Sequence, residues 1–118
     1  MDWDNQRIKI MDNETNRRIS DYVSAAAKQD SRVMTAYLFG SYAAKKDRVD
    51  SDIDVALIIN SLDNDRRFDL QVKLMLLASE FDIRIEPHPI SNEDFNYGNP
   101  FAAEIIKNGV EVRPFTAF

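Results

Sequence analysis

The stretch Leu38-Phe39-Gly40-Ser41-Tyr42-Ala43-Ala44-Lys45-Lys46-Asp47-Arg48-Val49-Asp50-Ser51-Asp52-Ile53-Asp54-Val55-Ala56-Leu57-Ile58-Ile59 decides how this chain is read. It opens on the end of an apolar run, Val33 to Phe39, which has the pattern of a buried strand closing on Gly40-Ser41. A polar, basic segment from Tyr42 to Asp50 follows, and a second apolar run begins through Ser51-Asp52-Ile53-Asp54. Alternate side chains of a strand share a face, so Asp52 and Asp54 point one way and Ile53, Val55, Leu57 and Ile59 the other. Two carboxylates roughly 7 Å apart on one face sit together comfortably only when a cation neutralises them. Hard oxygen donors of this kind suit Mg2+ or Mn2+. The turn before them supplies what the phosphate tail of a nucleotide needs. Gly40 permits close backbone approach, N–H groups are exposed, and Ser41 adds a hydroxyl.

Composition sets the outer limits. With 118 residues, 44% of them hydrophobic, the chain can form one core as a single domain over residues 1–118. The absence of cysteine excludes zinc–thiolate sites and a cysteine nucleophile. No apolar run is long enough for a membrane span. The first residues lack the basic-then-apolar pattern of a secretory leader, so the cytoplasm is the expected location. A net charge of −5 argues against general affinity for nucleic-acid backbones, but it is compatible with a nucleotide whose charge a metal offsets.

Outward from the central stretch, the periodicity predicts the remaining elements. Residues 1–11 read as a short arm, with Trp3, Ile8 and Ile10 free to dock on the body. A helix is expected from Asp12 or Asn13 to Gln29, its apolar face made by Ile19, Tyr22, Val23 and Ala26. A short helical turn is expected at Ser41 to Lys46, and a second helix from Asp65 to Ser79. On that helix one stripe carries Phe68, Val72, Met75 and Leu76, and a neighbouring one Leu70, Leu74, Leu77 and Phe81. This apolar surface is wider than a one-sided surface helix requires, which suggests either deep burial or a partner-binding face. Asp82, Arg84 and Glu86 alternate with Ile83 and Ile85, predicting a third strand that stops where Pro87 and Pro89 begin. His88, the one histidine, then reads as a residue of a rigid loop rather than a metal ligand. Pro100 is placed to start a final helix, Phe101 to Asn108, with Phe101, Ala102, Ile105 and Ile106 inward. Gly109 is expected to end it in a left-handed cap, before a short strand at Val110 to Val112. The pattern is that of an α/β (α+β) fold, a small mixed β-sheet packed against helices.

Gly40-Ser41, nine residues, then Ser51-Asp52-Ile53-Asp54 resembles the signature of the DNA polymerase β-like nucleotidyltransferase superfamily, in particular its minimal nucleotidyltransferase branch. Gly40, Ser41, Ala43, Ser51, Asp52, Asp54 and Val55 fit the family form without a gap. Ala44 stands where a basic residue is usual and Lys45 where a second glycine is usual, so Lys45, Lys46 or Arg48 would supply the displaced positive charge. The resemblance implies the nucleotidyltransferase fold and transfer of a nucleoside monophosphate from a triphosphate, ATP by family habit, onto a hydroxyl. It assigns Gly40, Ser41, Lys45 and Ser51 to the nucleotide. Asp52, Asp54 and a third carboxylate from a neighbouring strand would hold the Mg2+ or Mn2+ ions. Glu86 is the favoured third member and Asp82 the alternative. Tyr42 would stack on a base or pack internally.

Stand-alone chains of this size in the minimal branch are similar to antitoxins that bind, and sometimes adenylylate, a helical toxin. The resemblance therefore implies a helical toxin-like partner, while the wide helix face equally suits a homodimer. Two alternatives stand beside it: a catalytically idle module that neutralises its partner by contact, and a transferase acting on a small molecule such as an antibiotic.

Overall fold

The computed structural model describes residues 13–40 and 52–112. The expectations for the arm with Trp3, Ile8 and Ile10, for the turn at 41–46, and for Ser41, Tyr42, Lys45, Lys46, Arg48 and Ser51 lie outside the described residues. In chain order the elements are α1 (Asn13–Gln29), β1 (Val33–Phe39), β2 (Ile53–Ile59), α2 (Arg67–Ala78), β3 (Ile85–Ser91), α3 (Pro100–Asn108) and β4 (Val110–Glu111), with single 3-10 turns at Asn64–Arg66 and Asn92–Asp94. The four strands form one sheet in the order β3-β2-β1-β4. β1 runs antiparallel to β2 and β4, whereas β2 and β3 are parallel. The sheet is mixed and packed against helices, as the patterning predicts.

Central position explains the composition of β2. Ile53, Val55, Leu57 and Ile59 lie in a core with Ile19, Tyr22, Val23 and Ala26 of α1 and Leu70, Leu74 and Ala78 of α2. Ala56 and Ile58 face the opposite side, where they meet Ile90 and Ile105 beneath Tyr37, Phe39 and Phe95. The apolar residues of β2 are thus covered on both faces, and its one charged residue is Asp54. The Tyr22 hydroxyl donates to the Leu74 carbonyl at 2.9 Å, tying α1 to α2, and its burial raises the phenol pKa.

Two expectations are corrected here. The third strand does not end at the prolines: it starts at Ile85 and runs through Pro87 and Pro89 to Ser91. The physical reason is its place at the edge of the sheet, where proline's missing N–H breaks no ladder. Arg67 Nη1 donates to the Pro89 carbonyl at 2.8 Å and Gln71 Nε2 to the Pro87 carbonyl at 2.5 Å. These residues are four apart on α2, so one face of the crossover helix satisfies the strand's outward carbonyls. Gly109, likewise, is not in a left-handed cap; its backbone is extended, with φ −76° and ψ 164°. A side chain there would come within 2.6 Å of the Ile105 carbonyl oxygen and 3.2 Å of that of Leu38. Glycine is needed for close passage as the chain turns from α3 to pair with β1.

α3 begins as its sequence indicates. Asn99 Oδ1 accepts from the Phe101 and Ala102 amides at 3.0 and 3.2 Å, and Pro100 occupies the first turn. Ala102 and Ile105 are buried and Ile106 half-buried. Phe101, expected to face inward, is 48% exposed. On α2 the stripe Leu70, Leu74 and Ala78 is buried, whereas Phe68 and Leu76 are 75% and 66% exposed. The wide apolar surface of that helix is therefore only half used by the fold. Among the described residues no helix is long and apolar enough to cross a membrane.

Candidate active site

The site forms where the end of β1 and the starts of β2 and β3 meet. Phe39 pairs with Asp54 in the antiparallel ladder, and Asp54 pairs with Glu86 in the parallel one. In-register residues on neighbouring strands share a face about 4.8 Å apart, so the Glu86 and Asp54 side chains rise side by side. In the next row of that face, Tyr37 pairs with Ala56 and Ala56 with His88. Alanine projects almost nothing above the sheet, which leaves room for the imidazole to lean across the diagonal towards Asp54. His88 Nε2 lies 3.0 Å from Asp54 Oδ1. Asp54, Glu86 and His88 each offer a ligand atom within 4.8 Å of the others.

Both ends of the Asp54 carboxylate are fixed by its surroundings. Oδ1 meets His88, and Oδ2 faces the backbone of Gly40. Gly40 has φ +77°, and a Cβ there would stand 2.5 Å from Asp54 Oδ2. The glycine is required twice, for its left-handed backbone and for the proximity of the carboxylate. The imidazole packs beside aromatic rings. The Phe39 and His88 rings lie 5.1 Å apart at 65°, Phe39 and Phe101 5.5 Å apart at 81°, and His88 and Phe101 6.3 Å apart. Phe101 is thus a wall of the site, which accounts for its exposure. Beyond β3, His88 also lines an open cleft of about 310 Å³ with Arg67, Gln71, Asp94, Asn99 and Phe101.

The residues singled out from sequence fall into three groups. Asp54, Glu86 and Gly40 converge. Asp52 is exposed just before β2 and does not belong to the group of three. Asp82 is elsewhere: its buried carboxylate accepts from Arg84 Nη2 at 2.8 Å and Arg84 Nε at 3.0 Å, and from Arg18 Nε at 3.2 Å. The Arg84 hydrogen bonds dominate in holding its carboxyl pKa down to about 2. Arg84, expected on the face of Glu86, therefore belongs to this buried cluster. His88 is the residue sequence reasoning left out, because the prolines beside it were read as ending the strand. The available signal was its spacing of two from Glu86, which places both on one face once the strand continues.

Chemically, two carboxylates side by side repel unless a cation or proton intervenes. Among the described residues no lysine or arginine pairs with Asp54 or Glu86. Oxygen and imidazole donors at this separation suit a divalent ion.

Residues 22–112 match the family described as polymerase beta, nucleotidyltransferase. The chain belongs to that family. The fold of this nucleotidyltransferase domain is shared by solved structures of low identity. A candidate nucleotidyltransferase from Sulfolobus solfataricus aligns with TM-score 0.62 at 18% identity, over 88% of this chain and 83% of that one. A toxin–antitoxin structure with AMP-PNP aligns with TM-score 0.57 at 23% identity, over 80% and 72% of the two chains. A substituted form of the toxin–antitoxin MntA–HpeT aligns with TM-score 0.55 at 21% identity, over the same shares. The small mixed sheet and its helices are the fold these structures share. No curated protein matches the chain.

Proposed function

We propose that this domain is a metal-dependent nucleotidyltransferase that moves a nucleoside monophosphate, AMP from ATP, onto a hydroxyl of an acceptor. The observation that carries this reading is the convergence of Gly40, Asp54 and Glu86, with a left-handed glycine against one oxygen of Asp54 and Glu86 in register beside it. The acceptor hydroxyl would lose its proton to solvent as its oxygen bonds to the α-phosphorus and the bond from that phosphorus to the oxygen bridging to the β-phosphate breaks, releasing pyrophosphate. Asp54 and Glu86, joined by Asp52, would hold Mg2+ or Mn2+. Bound there, such ions supply charge neutralisation and activation of the hydroxyl. Gly40 would let the phosphates approach beside Asp54, and the family resemblance assigns Ser41, Lys45 and Ser51 to the same phosphates.

Its setting is read as the antitoxin half of a toxin–antitoxin pair in the cytoplasm. Two of the structural neighbours are toxin–antitoxin proteins, and Phe68, Met75 and Leu76 expose apolar surface suited to a helical protein partner or a second copy. That surface also supports a second reading, an idle module that neutralises its partner by contact alone.

Incubation with α-labelled ATP, Mg2+ and cell lysate tests the catalytic reading. Label should pass to a protein or small molecule and be lost with EDTA. Calorimetry showing equal triphosphate affinity with and without EDTA would remove the metal-dependent mechanism. Partner binding without any label transfer would favour the idle module.

A further inference from the structure

Family resemblance points to oxygen ligands alone for the cation, yet the group that converges here contains an imidazole. We propose that His88 is a nitrogen ligand of the ion held by Asp54 and Glu86, so that the site takes a first-row transition ion such as Mn2+ in preference to Mg2+. This rests on the metal-dependent reading above and specifies which ion it uses.

Three observations carry it. Nε2 of His88 lies 3.0 Å from Asp54 Oδ1. Two ligands at right angles on an ion with bonds of about 2.1 Å stand about 3 Å apart, so the pair already has the spacing of neighbouring ligands on one ion. Glu86 brings an oxygen within 4.8 Å of both. The imidazole is also directed. Ala56 beside it on β2 gives it space, and the Phe39 ring at 5.1 Å and the Phe101 ring at 6.3 Å flank it. Mg2+ favours oxygen ligands and keeps much of its water, whereas imidazole suits transition ions, most strongly those that follow Mn2+ in the first row. A nitrogen in the first coordination sphere therefore changes which metal the site favours.

The test uses Mn2+ alone, without nucleotide. Electron spin-echo modulation of the Mn2+-loaded wild-type protein should show coupling to an imidazole nitrogen. His88→Gln, which keeps a hydrogen-bond donor beside Asp54, should abolish that coupling. It should lower Mn2+ affinity about tenfold or more, at least the loss that removing even an outer-shell partner of a ligand causes, and change Mg2+ affinity far less. Absence of nitrogen coupling in the wild-type protein, or failure of Mn2+ to bind, would overturn the proposal whether or not the variant folds. An equal loss of Mn2+ and Mg2+ affinity in the variant would also overturn it and leave His88 as a hydrogen-bond partner of Asp54. Nitrogen coupling without nucleotidyl transfer would keep this inference and remove the enzymatic reading; transfer without nitrogen coupling would do the reverse.

Discussion

Asp82 and Glu86 lie four residues apart in sequence and come to rest in opposite electrostatic situations. The Asp82 side chain is 5% exposed and meets two guanidinium groups, from Arg84 beside it and Arg18 on α1. Its charge is compensated where it sits: Arg18 ties the turn before β3 to α1, and Arg84 closes a local loop two residues on. Glu86 stands beside Asp54, both half-buried, and the one partner of this pair able to carry positive charge among the described residues is His88. Both groups are carboxylates on or before the same strand. Charge balance is what separates them: Asp82 is held between two arginines, whereas Asp54 and Glu86 have no lysine or arginine partner among the described residues.

Substitution can break that comparison most severely at the site. Asp54→Asn should lower label transfer on the order of a thousandfold, as removal of a main electrostatic group does, and Glu86→Gln should abolish it while leaving triphosphate binding largely intact. Neither should move the melting temperature by more than a few degrees, and a large drop would mean that these carboxylates are structural after all. Asp82→Asn should do the opposite. It leaves two arginines around a neutral group and should cost about 3 kcal/mol of stability, read as a fall of roughly 10 °C in melting temperature, with transfer by the folded fraction unchanged.

Acid titration sharpens the same contrast. The Asp82 pKa is depressed in the folded state to about 2, so its contribution is complete above the ordinary carboxylate value near 4 and is lost as pH falls towards 2. That contribution is about 2 kcal/mol. Chemical denaturation between about pH 5 and 2 should show this loss in the wild-type chain and not in Asp82→Asn. A smaller effect is expected from Gly40→Ala. The strained backbone should cost about 1 kcal/mol, and displacement of Asp54 Oδ2 should weaken Mn2+ binding roughly tenfold. Unchanged metal affinity in that variant would separate Gly40 from the site. The smallest change in stability belongs to Phe68→Ser and Leu76→Ser, within about 0.5 kcal/mol. Sedimentation should nonetheless show weakened association with a partner or second copy, and unaltered assembly would free the α2 face from that role.

Much of the fold was legible because its elements are locally consistent. α1 and β1 fall where their apolar spacing predicts, and β2 occupies Ile53–Ile59 within the second apolar run. The misreading of β3 had a definite cause. Two prolines argue against a strand only if both of its edges must hydrogen-bond, and edge position is not a local property. The exposure of Phe68 and Leu76 was likewise unreadable, since a wide apolar helix face looks the same whether a sheet or a partner covers it. Phe101 followed the same logic, an aromatic spaced for the core that instead borders the site.

The sequence by itself determined that Asp54 is the one charged residue near the start of an otherwise apolar strand, and that Gly40 follows the end of the strand before it. It also carried the family signature in one contiguous stretch, because those residues are joined by short separations and a period-two pattern. Tertiary structure alone decided what surrounds Asp54. The parallel register that sets Glu86 beside it, and lets His88 reach across Ala56, is fixed by how α2 carries the chain from β2 to β3. Periodicity assigns a residue to a face but does not align one strand with another. The same holds for Asp82, whose neutralising Arg18 lies 64 residues away. Pairing at that distance is set by the packing of α1 against the sheet, and no local pattern in the sequence encodes it.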